Sequence, residues 1–158
     1  MHTNIKRRVF LKGSVAAGAL GAAVGTGLLT PQAVLAATWP KEAFGAKKID
    51  EAIGALMGSP TTEATDKIEI KAPDIAENGA VVPVTVSTDM AAESIAIIAE
   101  QNPAPLAAVF NLGPGALGDV STRIKMGKTG DVVAVVKAGG KLYANRKGVK
   151  VTIGGCGG

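Results

Sequence analysis

From Lys67 onward the apolar residues of this chain recur at every second position, in short runs punctuated by glycine and proline. That period builds strands and excludes most helical architectures. Ile68 and Ile70 alternate with Lys67, Glu69 and Lys71. Val82, Val84 and Val86 share one phase, broken on the other face by Pro83, whose missing N–H predicts an edge position or a bulge. Val120, Thr122, Ile124 and Met126 alternate with Ser121, Arg123 and Lys125. Ile95–Ala99 and Leu106–Leu112 are apolar runs, the second interrupted at Asn111, and Val132–Val136 reads as a buried run. Residues 101–105 hold two prolines and read as a turn, Gly113-Pro114-Gly115 as another, and Gly139-Gly140 as a hairpin turn. Leu142–Ala144 then reads as a short return strand, and Val149, Val151 and Ile153 close the series.

Ahead of the strands the period is helical. Phe44, Ile49, Ala52, Ile53 and Leu56 form one stripe, with Pro40 near the first turn, Thr38 as a candidate cap and Gly58 before Ser59-Pro60 as the stop. Seven or eight short strands, with no helices between them for repeated βαβ units, predict an all-β antiparallel sandwich of immunoglobulin-like architecture behind one N-terminal helix. The Cys-Trp-Cys signature of true immunoglobulin domains is absent. With one Trp, one Tyr and two Phe after residue 36, the core must come from Val, Ile, Leu and Ala.

The first 36 residues read as an export signal. A basic stretch, Lys6-Arg7-Arg8-Val9-Phe10-Leu11-Lys12, precedes a small and apolar run from Gly13 to Leu29, then Pro31 and the small-residue ending Val34-Leu35-Ala36. The expected cut lies between Ala36 and Ala37. A membrane anchor is the competing reading, since the run approaches the roughly 20 residues a spanning helix needs, but Pro31 and the Val-x-Ala ending favour cleavage. The leader holds no cysteine to lipidate. The pair Arg7-Arg8 followed by x-Phe-Leu-Lys resembles the twin-arginine signal, with Lys6 where Ser or Thr is commoner. That resemblance implies a periplasmic protein with no membrane attachment after cleavage, in an oxidising compartment where a lone thiol is conspicuous. The expected organisation is residues 1–36 as signal, 37–153 as helix plus sandwich, and 154–158 as a flexible arm.

The net charge of +4 belongs to the leader: Lys6, Arg7, Arg8 and Lys12 carry it, and the remaining basic residues balance the 13 acids. A neutral mature chain lacks the clustered positive charge that phosphate binding requires, so no nucleic-acid partner is expected. The one histidine, His2, lies in the leader, and the one cysteine is Cys156. Without histidine, the usual zinc sites and the Ser-His-Asp and Cys-His catalytic arrangements are excluded from the mature chain. Asp50-Glu51 and the acids from Glu63 to Asp66 lie in stretches that read as solvated. Gly127-Lys128-Thr129 ends like a phosphate loop, but Thr122 stands where the first glycine is required and a strand follows instead of a helix, so it reads as a turn. Arg146, Lys147 and Lys150 read as exposed faces of the last strands.

The chain ends in Gly154-Gly155-Cys156-Gly157-Gly158. Glycine is costly to order, so this segment is expected to be mobile when free. From Ile153 to Cys156 it reaches about 10 Å at full extension. Lacking side chains on either flank, it is thin enough to enter a narrow pocket in a partner. An unpaired cysteine in an exported chain points to a reactive thiol or an intermolecular link. The tail has no base or adjacent cation to activate the sulfur, and near a thiol pKa of about 8.5 only a few per cent is thiolate at pH 7. This favours a handle loaded by another protein's active site over an enzyme. The alternative is an exported structural or adhesion subunit joined by an intermolecular disulfide.

The tail resembles the swinging arm of the SoxY family, the sulfur carriers of the thiosulfate-oxidising Sox pathway. The likeness extends through Ala72-Pro73-Asp74-Ile75-Ala76-Glu77-Asn78-Gly79-Ala80-Val81-Val82-Pro83-Val84, through Ser94-Ile95-Ala96-Ile97-Ile98-Ala99-Glu100 with Asn102-Pro103, and through Val120-Ser121-Thr122-Arg123-Ile124-Lys125-Met126. The resemblance implies that Cys156 is the covalent attachment point, that Gly154, Gly155, Gly157 and Gly158 give the arm its mobility and fit, and that the chain itself is not a catalyst. It implies a heterodimer with SoxZ, a second small β-sandwich. It further implies transient meetings with the haem enzyme SoxXA, which joins thiosulfate to the cysteine as an S-thiosulfonate, and with the dimanganese hydrolase SoxB, which releases sulfate and leaves a persulfide. Where SoxCD is present it oxidises that remaining sulfur. The chain is expected to carry no cofactor or metal of its own beyond the sulfur groups on Cys156.

Overall fold

A computed structural model describes residues 39–152. Among these residues two short helices, α1 (Lys41–Gly45) and α2 (Ile49–Met57), precede nine strands: β1 (Glu63–Ala64), β2 (Ile68–Lys71), β3 (Ile75–Ala76), β4 (Val82–Thr88), β5 (Ala92–Ala99), β6 (Leu106–Asn111), β7 (Gly118–Ile124), β8 (Gly130–Ala138) and β9 (Lys141–Val151). They form two sheets. The larger runs β1-β9-β8-β5-β6, with β3 also on β9, and the smaller runs β2-β4-β7.

The core between the sheets takes the apolar phase of each strand. Ile68, Ile70, Val82, Val84, Val86, Val120 and Ile124 of the small sheet meet Ile95, Ile97, Val132, Ala134, Val136 and Val149 of the large one. The other phase of the large sheet, Ala96, Ile98, Leu106, Val133, Val135 and Leu142, packs under the helices through Ala43, Ala52 and Ile53. Strands β5 and β8 are therefore buried on both faces, which is why Ile95–Ala99 and Val132–Val136 carry no polar residue. Burying each such valine or isoleucine contributes roughly 1.5–3 kcal/mol.

The β-sandwich with an N-terminal helical element is as expected, and four details differ. The single helix is two. In an unbroken helix Phe44 and Ile49, five residues apart, would point about 140° from each other. Extended backbone at Ala46 and Lys48 resets the phase, and both side chains pack under the large sheet. Gly58 stops the second helix in the left-handed conformation, φ 85°, with its N–H on the Gly54 carbonyl. Secondly, the segments expected as separate strands at 142–144 and 149–153 are one strand, β9, paired with β8 from Lys141 to Val149. Thirdly, the sheet is not wholly antiparallel, because β1 and β3 join β9 in parallel. Lastly, Pro83 lies in the middle strand of the small sheet, yet β2 pairs only with Thr85–Thr88, so no strand flanks β4 on that side at Pro83. The proline thus has the local edge that its missing N–H requires. Gly139 and Gly140, at φ 56° and 75°, make the expected β8–β9 hairpin turn.

Candidate functional site

The chemistry is expected at Cys156 and its flanking glycines, and export is expected to depend on Arg7 and Arg8. All of these, with Thr38 and Ile153, lie outside the described residues. What the structure contributes is the platform from which the tail departs: the last residues of β9 and what holds them.

The main-chain ladder between β8 and β9 ends at the pair Gly130 and Val149. Beyond it the strand is held by different groups on its two edges. On one, the Thr129 hydroxyl accepts a hydrogen bond from the Val151 N–H at 2.9 Å and donates to the Val151 carbonyl at 3.3 Å. On the other, β3 runs parallel to it: Lys150 N–H donates to the Asp74 carbonyl at 2.9 Å and Thr152 N–H to the Ala76 carbonyl at 3.1 Å. The turn at Asn78–Gly79 closes against the same place, with Gly79 packed on Val151 and its carbonyl accepting from Met126 N–H at 2.7 Å. The strand is therefore gripped as far as Thr152, four residues before Cys156.

The loop that presents Thr129 is itself braced. Asn102, from the turn after β5, donates from Nδ2 to the Lys125 carbonyl at 2.6 Å and accepts at Oδ1 from the Gly127 N–H at 2.9 Å. Gly127-Lys128-Thr129 is thus a turn into β8, as its sequence context requires. Thr129 does not stand out in the sequence, because nothing in a single sequence pairs residue 129 with residue 151.

The charged residues form surface pairs. Lys147 Nζ meets Asp74 Oδ1 at 2.7 Å, and its hydrogen bond and charge hold that carboxyl below the usual carboxylate value. Arg146 pairs with Asp131 at 3.5 Å, Lys48 with Glu51 at 3.7 Å, and Lys141 with Glu63 at 3.0 Å. The hydrogen bond and charge of Glu63 raise the Lys141 pKa above its ordinary value. These exposed pairs contribute little to stability. Lys150 faces solvent, so the basic group near the tail sits on strand faces as expected. An open cleft of about 580 Å³ beside the unflanked end of β4 is lined by Lys71, Pro73, Pro83, Thr85 and Lys147, among others. Among the described residues no three His, Cys, Asp or Glu side chains are grouped to hold a metal, and no buried side-chain nitrogen or oxygen lacks a partner.

The family model for sulfur oxidation protein SoxY matches residues 53–156, a span that ends at Cys156. A solved structure of the sulfur carrier protein SoxY from Chlorobium limicola f thiosulfatophilum is 48% identical, covers 67% of this chain and 97% of its own, and superposes with a TM-score of 0.61. A superoxide reductase (neelaredoxin) from Ignicoccus hospitalis, 22% identical over 57% of this chain and 94% of its own with a TM-score of 0.50, shares the fold alone. A comparison with curated proteins gives no match. The chain belongs to the SoxY family.

Proposed function

We propose that the mature protein carries sulfur intermediates of thiosulfate oxidation covalently on the Cys156 thiol and presents them to partner enzymes. The observation that carries this reading is the Gly154-Gly155-Cys156-Gly157-Gly158 tail following directly on a strand gripped to Thr152, in a chain that belongs to the SoxY family. A firm root and a thin glycine tail suit a thiol that enters other proteins' active sites. The 48% identical relative is itself a sulfur carrier protein.

Loading forms a bond between the Cys156 sulfur and the outer sulfur of thiosulfate. The thiol gives up its proton and two electrons pass to the oxidising partner, SoxXA, leaving an S-thiosulfonate. Hydrolysis by SoxB then takes up one water, releases sulfate and two protons, and leaves a persulfide on Cys156, which SoxCD oxidises where present. The chain supplies the thiol and its presentation, and the cofactors of the oxidation and hydrolysis belong to the partners. SoxZ is the proposed heterodimer partner, and the Arg7-Arg8 leader is the proposed route to the periplasm, by removal of residues 1–36.

The test is thiosulfate oxidation by the reconstituted partners with native protein or with Cys156→Ser. The native protein supports turnover and the serine variant does not. Equal turnover with both would overturn the proposal.

A further inference from the structure

Thr129 closes the Gly127-Lys128-Thr129 sequence, which binds no phosphate in the reading above and so is left without a task. Its hydroxyl does on β9 what a main-chain partner would do: it takes the Val151 N–H and gives a hydrogen bond to the Val151 carbonyl, beyond the last main-chain pair of the β8–β9 ladder. The loop carrying it is pinned by both ends of the Asn102 amide. We propose that Thr129 is a positioning residue that sets the pivot of the carrier arm. This rests on the carrier reading of Cys156.

The consequence is one of reach. With the strand held through Val151 and Thr152, four residues run on from it to and including Cys156, a span of at most about 14 Å. Were the strand to peel from β8 and β3 back to Val149, seven residues would be free and the span would reach about 24 Å. A longer tether spreads the thiol over a larger volume and lowers its effective concentration at a docked partner's active site. Ala76 and Asp74 grip the other edge of β9 through main-chain groups, which no side-chain change removes. Thr129 is the part of the clamp that rests on one side chain.

The experiment compares the native mature protein with Thr129→Val, which keeps the shape and removes the hydroxyl, and Thr129→Ser, which keeps the hydroxyl. Hydrogen exchange at the Val151 amide is expected to speed up tenfold or more in the valine variant and stay near native in the serine variant. Alkylation of Cys156 by iodoacetamide, which needs no docking, is expected to be equal in all three. Loading with thiosulfate by the oxidising partner is expected to show a severalfold higher KM for the valine variant and a near-native value for serine. A Val151 amide still protected in Thr129→Val, or a lost protection accompanied by native loading, overturns the positioning role. Failure of the native protein itself to load overturns the carrier reading, and the positioning role falls with it; that control separates the two failures.

Discussion

Gly79 lies against Val151 so closely that a β-carbon added to the glycine would stand 2.8 Å from Val151 Cγ1, and closer still to the Met126 carbonyl oxygen. Carbon atoms do not approach to that distance without displacing something, and one of the two obstacles is backbone. Gly79→Ala is therefore expected to destabilise the fold by about 1–3 kcal/mol through overpacking. Urea denaturation of the two proteins measures it, and equal midpoints would show that the turn yields without cost.

Asn102 joins the turn after β5 to the loop before β8 through two hydrogen bonds. Net contributions near 1 kcal/mol per bond lead us to expect that Asn102→Ala lowers stability by about 1–2 kcal/mol. The faster exchange should be centred on the Gly127 amide, which loses its acceptor. Uniformly faster exchange across the sheet, with no focus at residue 127, would assign the loss to something other than this brace.

The Asp74 carboxyl is held below the ordinary carboxylate value by the Lys147 hydrogen bond first and by its charge second. A depressed carboxylate pKa adds stability that is present above the unfolded-state pKa and is lost as pH falls through the folded value. Because the Asp74 side chain is 86% exposed, the contribution is small. NMR titration should show an Asp74 midpoint below that of an ordinary aspartate in the native protein, returning to the ordinary range in Lys147→Gln. Thermal unfolding between neutral and mildly acidic pH should change little. An Asp74 midpoint indifferent to Lys147 would contradict the pairing.

Much of this fold is legible in one sequence because burial writes itself into period. Val82, Val84 and Val86 face one core and are read correctly from alternation alone. Ile95–Ala99 and Val132–Val136 face two cores, and their unbroken apolar runs say so. Gly139-Gly140 announces its turn because both residues need positive φ. Arg146 and Lys147 read as exposed strand positions, but the polar stretch from Asn145 to Gly148 hides that the strands on either side of it are one. In the structure it is strand: Asn145 turns toward the small sheet and donates to the Ile68 carbonyl at 2.6 Å, a contact between sheets that leaves no periodic trace. The two-residue strands β1 and β3 are too short to carry a period at all. The break between α1 and α2 follows Gly45, a stop signal that is masked by the apolar residues on either side of it, which suggest one continuous stripe.

The candidate site divides along the same line. Cys156 and its four glycines stand out because their composition is unlike anything else in the chain. The clamp at the root of the tail does not stand out. Thr129 from one segment, and Ala76 and Gly79 from another, reach Val151 and Thr152 through hydrogen bonds and a close approach that only the folded chain brings together.

The central claim is a covalent sulfur group on one residue, and intact mass tests it most directly. Native protein and Cys156→Ser would each be weighed after exposure to thiosulfate and the oxidising partner, before and after treatment with reductant. The account predicts that the native protein gains one thiosulfate-derived group, located on Cys156 and removed by reductant, while the serine variant gains nothing. A native protein that keeps its bare mass, or a serine variant that gains the same group, would contradict it.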